Sequence, residues 1–265
     1  MDIPAKLSDG GFPAWSLPLD ATCAEFARSV ARALCQEFGL ARDIVDDVTL
    51  IASELATNAL LHAYRTERTP PGTGRPEMWA YLRRCSVPEI VVKVVDPVPW
   101  KGPFRRPPQS PPTDSTGGRG LHLVDALTAE HGGRWGVHPT RARLGASPYP
   151  GKAVFFTVPV SARTTELVPE TATARRRPWA CRRSAERIHA LLTARGLRAD
   201  LTGDGTLLHE GGGWQVRVRE EWISYRLLGG EAVRLPASEG IEVVERIVRH
   251  TEELVAVCSR MALPL

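Results

Sequence analysis

The chain has 265 residues, 43% hydrophobic and 24% charged, an ordinary globular composition with length enough for one large domain or two modest ones. Its 34 basic and 30 acidic residues leave a net charge of +4, carried equally by the halves before and after residue 161, which excludes a basic nucleic-acid arm or an acidic tail. No apolar run approaches the about 20 residues that a membrane helix needs, and the amino terminus lacks the basic start and apolar core of a secretory signal.

In chain order, Ala21 to Phe38 repeats Phe26, Val30, Leu34 and Phe38 at helical spacing and meets a stop at Gly39, which predicts a first helix. Ala41 to Tyr64 predicts a second, longer one. Strands follow at Met78–Arg83 and Ile90–Val95. Lys101–Gly118, KGPFRRPPQSPPTDSTGG, is too rich in Pro, Gly and Ser for regular structure and reads as a long loop inside the domain. A helix at Gly120–Glu130, a short strand around Arg134–His138 and a β-rich strand at Ala153–Val160 complete residues 1–160, an α/β layered sandwich by pattern. Residues 161–178 lack apolar periodicity and read as a linker. Within 179–265, a helix at Cys181–Arg195, a strand pair over Gly213–Leu228 and a terminal helix at Glu239–Met261 predict a small α+β module with its own core.

The five cysteines (Cys23, Cys35, Cys85, Cys181, Cys258) are odd in number and show no C-x-x-C spacing. They read as reduced thiols, so a soluble cytoplasmic protein is expected.

The second helix holds an unusual polar set. On a helical wheel Asp46, Thr49, Ser53 and Thr57 form one stripe, expected to face solvent. Glu54 and Asn58, four residues apart, fall on another side with Ile51 and Leu61 beside them, and His62 continues that row. A carboxylate and an amide on an inward face need partners. One reading is a satisfied core network; the other is a site in which the carboxylate is a base and the amide oxygen binds a hard cation such as Mg²⁺. Zinc is disfavoured, because no H-E-x-x-H occurs. Asp96 ends the apolar run IVVKVV and faces either a turn amide or a ligand. Gly117-Gly118-Arg119-Gly120-Leu121 opens a helix after the Pro-rich loop, where free backbone N–H groups suit phosphate oxygens. No Walker A motif and no strand–GxGxxG–helix unit occurs.

Read in this order, ELATNALLHA, VVDPVP, GGRGLHLVDAL and GKAVFFTVP make residues Leu17 to Val160 resemble the GHKL (Bergerat-fold) ATPases, and among them the bacterial anti-sigma-factor serine/threonine kinases. The resemblance implies a two-layer α/β sandwich with a mixed sheet covered by helices, which with the small α+β module read from the pattern makes an α+β chain. It implies Glu54 as the catalytic general base, Asn58 as the Mg²⁺ ligand and Asp96 as the acceptor for the adenine amino group. Gly118, Arg119 and Gly120, with Leu121 next in the helix, are the implied phosphate-binding segment of an ATP site. His62 is given a structural or supporting role.

The implied activity is ATP-dependent phosphorylation of an anti-sigma-factor antagonist by a regulatory protein that also sequesters a sigma factor and so controls transcription. Two departures stand out. Asp96-Pro97-Val98-Pro99-Trp100 replaces D-x-G-x-G, and Gly151-Lys152-Ala153 lacks the hydroxyl of the closing box. They keep open the alternative of a catalytically degenerate ATP-binding or protein-binding regulator. A sensor-kinase-like ATPase acting on itself is weaker, since the domain begins almost at the amino terminus, with no acceptor-His hairpin before it.

The carboxyl-terminal module resembles no family. Arg175, Arg176, Arg177, Arg182 and Arg183 read as a solvated linker and first helical turn, so direct nucleic-acid binding is not expected. Trp179, Trp214, Trp222 and Tyr225 read as its core. No membrane partner is expected, and a homodimer is left open.

Overall fold

The computed structural model describes residues 6–64, 74–84, 86–98, 119–145, 148–161 and 178–261. The loop at 101–118 and nearly all of the 161–178 linker lie outside the described residues. Two compact units emerge, Met1–Gly145 with Tyr149–Val168, and Ala146–Pro148 with Pro169–Leu265.

The first unit contains β1 (Ala14–Ser16), α1 (Cys23–Glu37), α2 (Arg42–Tyr64), β2 (Glu77–Arg83), β3 (Glu89–Asp96), α3 (Arg119–Glu130), β4 (Trp135–Arg141) and β5 (Pro150–Pro159). The strands form one sheet in the order β1-β2-β3-β5-β4. Alternation along the strands sends Met78, Ala80 and Leu82 of β2 and Ile90, Val92 and Val94 of β3 into one core with the helices. Helix α1 meets that core through Cys23, Ala27, Val30, Ala31, Leu34 and Cys35, and the chain leaves it through Gly39 at φ +59°. Each buried Val, Leu, Ile or Met side chain of this set contributes about 1.5–3 kcal/mol.

The opposite face of β2 and β3 is buried too. Trp79 and Tyr81 pack edge-on against Phe12. Lys93 lies buried with its Nζ 3.2 Å from His138 Nε2. A strand buried on both faces explains the unbroken apolar run IVVKVV.

The sheet corrects the expectation of mixed pairing: every strand pair described is antiparallel. Strands β3 and β4 run in the same direction and α3 connects them, but β5 inserts between them. The parallel relationship survives without a parallel ladder.

A second correction concerns the helix stripe read as solvent-facing. Thr49 and Ser53 are buried, each 5% exposed. Thr49 Oγ1 donates to Asp46 O at 2.8 Å, Ser53 Oγ to Leu50 O at 2.9 Å and Thr57 Oγ1 to Ser53 O at 2.8 Å. Hydroxyls that bond back to their own helix carry no unsatisfied donor inward, so small polar residues there pack as alanines would.

Among the described residues Cys23, Cys35, Cys181 and Cys258 are free thiols. Burial pushes the Cys35 thiol up to about 12, so it stays protonated and serves as a small apolar side chain.

The second unit is a five-stranded antiparallel meander packed on two helices. Its elements are α4 (Pro178–Ala194), β6 (Ala199–Leu201), β7 (Thr206–His209), β8 (Trp214–Val218), β9 (Trp222–Leu227), β10 (Ala232–Pro236) and α5 (Gly240–Met261). Ala185, Ile188 and Leu192 of α4 join Val243, Val244, Ile247 and Val248 of α5 over the sheet. Trp214 and Tyr225 belong to this core, whereas Trp222 is half-buried with the Arg234 guanidinium 4.2 Å above its ring. A buried ion pair, Arg195 Nη1 to Glu245 Oε1 at 2.9 Å, ties the turn after α4 to α5. Among the described residues no helix is long and apolar enough to cross a membrane.

Candidate functional site

Helix α3 lies along α2 with a register fixed at both ends. At its start the Cβ that any other residue would carry at position 120 falls 2.7 Å from Glu54 Oε2 and 3.4 Å from Asn58 Nδ2. At its end His131 Nε2 is 2.8 Å from Asp47 Oδ2. The first turn of α3 therefore rests directly on the carboxylate–amide pair of α2, and the helices run in opposite directions. Further support comes from the Trp135 indole N–H, which donates to Asp125 Oδ1 at 2.5 Å, and from Val124, fully buried in the core. Sequence reasoning missed Asp47 and His131. The available signal was spacing, since eleven residues separate both Gly120 from His131 and Asp47 from Asn58.

Only glycine fits at 120 without moving the carboxylate. That close approach brings the amino-terminal N–H groups of α3, four of which have no partner within a helix, toward Glu54 and Asn58. The helix dipole adds positive potential there, and it favours both a neighbouring carboxylate and an incoming phosphate. Glu54 and Asn58 are both half-buried. Leu121 is half-buried and packs against the core, so its backbone rather than its side chain faces the site's chemistry. Gly118 and the side chains of Arg119 and His62 lie outside the described residues.

Asp96 ends β3 and is 4% exposed. Its Oδ1 accepts from the Val98 N–H at 2.9 Å, and Lys152 Nζ stands 3.1 Å from its Oδ2. The turn amide expected for Asp96 is present. The partner Lys152 comes from β5, where it lies directly across from Asp96 in the ladder. Beside it, a Cβ at position 151 would fall 2.3 Å from the Asp96 carbonyl oxygen, so glycine lets β5 pass close over the end of β3.

Among the described residues no three His, Cys, Asp or Glu side chains converge as a metal cluster. A divalent cation near Asn58 would therefore rest on one amide oxygen, phosphate oxygens and water. That donor set suits Mg²⁺ and not a transition metal. At Gly120 a carboxylate, an amide and a helix amino terminus thus meet, a set of groups chemically suited to a magnesium–phosphate ligand.

A five-stranded antiparallel sheet under three helices, with a polar pair on the second helix meeting the glycine-opened third, defines a helix-on-sheet nucleotide-binding domain. The sequence profile of the histidine kinase-like ATPase domain matches residues 17–140. Residues 17–140 are accordingly a histidine kinase-like (GHKL) ATPase domain, an ATP-binding domain by family. Among solved structures, the chain is similar to the histidine kinase domain from Erythrobacter litoralis EL346 blue-light activated histidine kinase, with 19% identity and a TM-score of 0.27 over 58% of this chain. It spans 65% of that structure's length. No curated protein matches.

Proposed function

We propose that this protein is an ATP-dependent serine/threonine kinase of the anti-sigma type, working in the cytoplasm. It sequesters a sigma factor and phosphorylates an anti-sigma-factor antagonist. The observation that carries the enzymatic part is the cradle at Gly120: a carboxylate and an amide held within a side chain's width of a helix amino terminus. The choice of protein partners rests on the sequence resemblance alone.

In this reading Glu54 accepts the proton of the substrate hydroxyl, and its half-buried position beside a helix amino terminus holds it aimed. Asn58 presents its amide oxygen to Mg²⁺. The backbone of Gly118, Arg119, Gly120 and Leu121 receives the phosphates, and Asp96 accepts from the adenine amino group. Mg·ATP, when bound, supplies the γ-phosphoryl group and neutralises the charge that develops on it. Phosphoryl transfer asks little more of the protein than this positioning.

The test is transfer of radiolabel from γ-labelled ATP to a candidate antagonist. Glu54→Gln should lower the rate by about 10²–10⁴-fold, the usual worth of a positioned base, while nucleotide binding persists. Asn58→Ala should lose Mg²⁺-dependent nucleotide binding. Equal transfer by wild type and both variants would remove the assigned roles.

A second reading is favoured by one specific contact, the Lys152–Asp96 ion pair. A carboxylate already partnered in the free protein gives less to an incoming base, which suits a regulator that binds nucleotide weakly and acts through protein contacts. That reading predicts a partner complex that survives both substitutions in pull-down.

A further inference from the structure

The second unit contains a cavity of about 280 Å³ between the β7–β8 turn and the last turns of α5. Its walls include the Trp214 indole, Leu254 and Val255. His209 stacks on Trp214 with ring centroids 5.1 Å apart and planes 28° from parallel. Two of the lining side chains carry a buried ring nitrogen without a hydrogen-bond partner, Trp214 Nε1 and His250 Nε2. Trp214 is only 3% exposed. A buried N–H left unpaired is costly, and native proteins almost always satisfy it with protein, water or ligand.

The volume exceeds what one or two satisfying waters need, since each takes about 30 Å³. The chemistry of the lining is one-sided. The indole N–H can only donate. The Gly213 N–H points to His209 Nδ1 at 3.2 Å, which makes Nδ1 the acceptor and leaves Nε2–H of the neutral ring as a second donor. No carboxylate lines the cavity. Although two histidines and Cys258 border it, no metal-binding cluster of three forms among the described residues.

We propose that this cavity binds a small organic acid with a flat apolar body. The body lies against Trp214 and Leu254, and the carboxylate accepts from Trp214 Nε1; the unpartnered His250 Nε2 is its second partner when that nitrogen carries the proton. The carboxyl-terminal unit is then a small-molecule binding module.

The test is calorimetric titration of the full chain with naphthalene-2-carboxylate, with naphthalene-2-methylamine as the matched cation. Wild type should bind the acid with a Kd below about 1 mM and give no measurable binding of the amine. Trp214→Phe keeps a ring and removes the donor, and should weaken the acid at least tenfold. Val255→Trp, on a surface position 49% exposed, should fill the cavity and abolish binding without disturbing the core. No heat with the acid, equal binding of acid and amine, or unchanged affinity in both variants would overturn the proposal. Should Trp214→Phe fail to fold by circular dichroism, the Val255→Trp result and the acid–amine contrast decide it alone.

Discussion

The candidate nucleotide site contains two glycines at close approaches, and their neighbours differ. At Gly120 a missing Cβ makes room for the carboxylate of Glu54, the movable end of a flexible side chain. At Gly151 it makes room for the Asp96 carbonyl, which belongs to the backbone of the next strand. The first glycine sets where a chemical group points. The second sets how strands pack, and through them where Lys152 meets Asp96. The close approach at Gly120 thus constrains a side chain, and the one at Gly151 constrains the backbone.

Substituting the two glycines by alanine should separate these roles. Gly120→Ala is the larger functional change. The new methyl would stand 2.7 Å from Glu54 Oε2, so the carboxylate must swing away and phosphoryl transfer should fall about 100-fold, a loss of about 2.7 kcal/mol of transition-state stabilisation. Alanine is the better helix former, so the thermal midpoint should hold or rise. A lowered midpoint with unchanged turnover would reverse the assignment of this glycine.

Gly151→Ala should show the opposite pattern. Its methyl would stand 2.3 Å from a backbone oxygen and 3.3 Å from Pro97 Cα, and neither can rotate out of the way. Overpacking of this kind costs about 1–3 kcal/mol, visible as a lower midpoint in urea. Wild-type stability would mean that β5 separates from β3 more easily than the ladder suggests.

The same contrast explains what was legible in the sequence. Glu54, Asn58 and Gly120 stood out because helical periodicity converts spacing into direction, and a polar pair among Ile51, Leu55 and Ala59 is conspicuous. The long helices and the central strands could be read in the same way. The Lys152–Asp96 pair could not, because cross-strand register depends on the loops and the helix that separate the two residues by fifty-six positions. Lys152 was noticeable only as the neighbour of Ala153, where the closing box lacks its hydroxyl. The strands absent from the sequence reading are β1 and β6, three residues each, β7, four residues, and β10, which is mostly exposed. Such elements bury too little surface to impose an alternation, and their neighbours in the sheet hold them in place. Thr49 and Ser53 were misjudged for a different reason: residue polarity hides a hydroxyl's ability to satisfy itself on its own helix.

The smallest expected effect tests the base end directly. Lys152 is partly exposed at 26% while Asp96 is nearly buried, so their ion pair is partly screened and worth on the order of 1 kcal/mol. Under the role proposed for Asp96, an adenine amino group competes with the ammonium for the same carboxylate oxygen. Lys152→Thr removes the competitor, so the affinity for Mg·ATP should rise by about 3–10-fold, since each 1.4 kcal/mol is a factor of ten. Stability should fall slightly in the nucleotide-free protein, because Asp96 loses its cation. Asp96→Asn in the Lys152→Thr background should cancel the gain, which isolates the carboxylate as the group that changed hands. If Lys152→Thr binds no better while Asp96→Asn still weakens binding, the base reaches Asp96 without displacing Lys152, and the ammonium then belongs to the base-binding surface as a second donor.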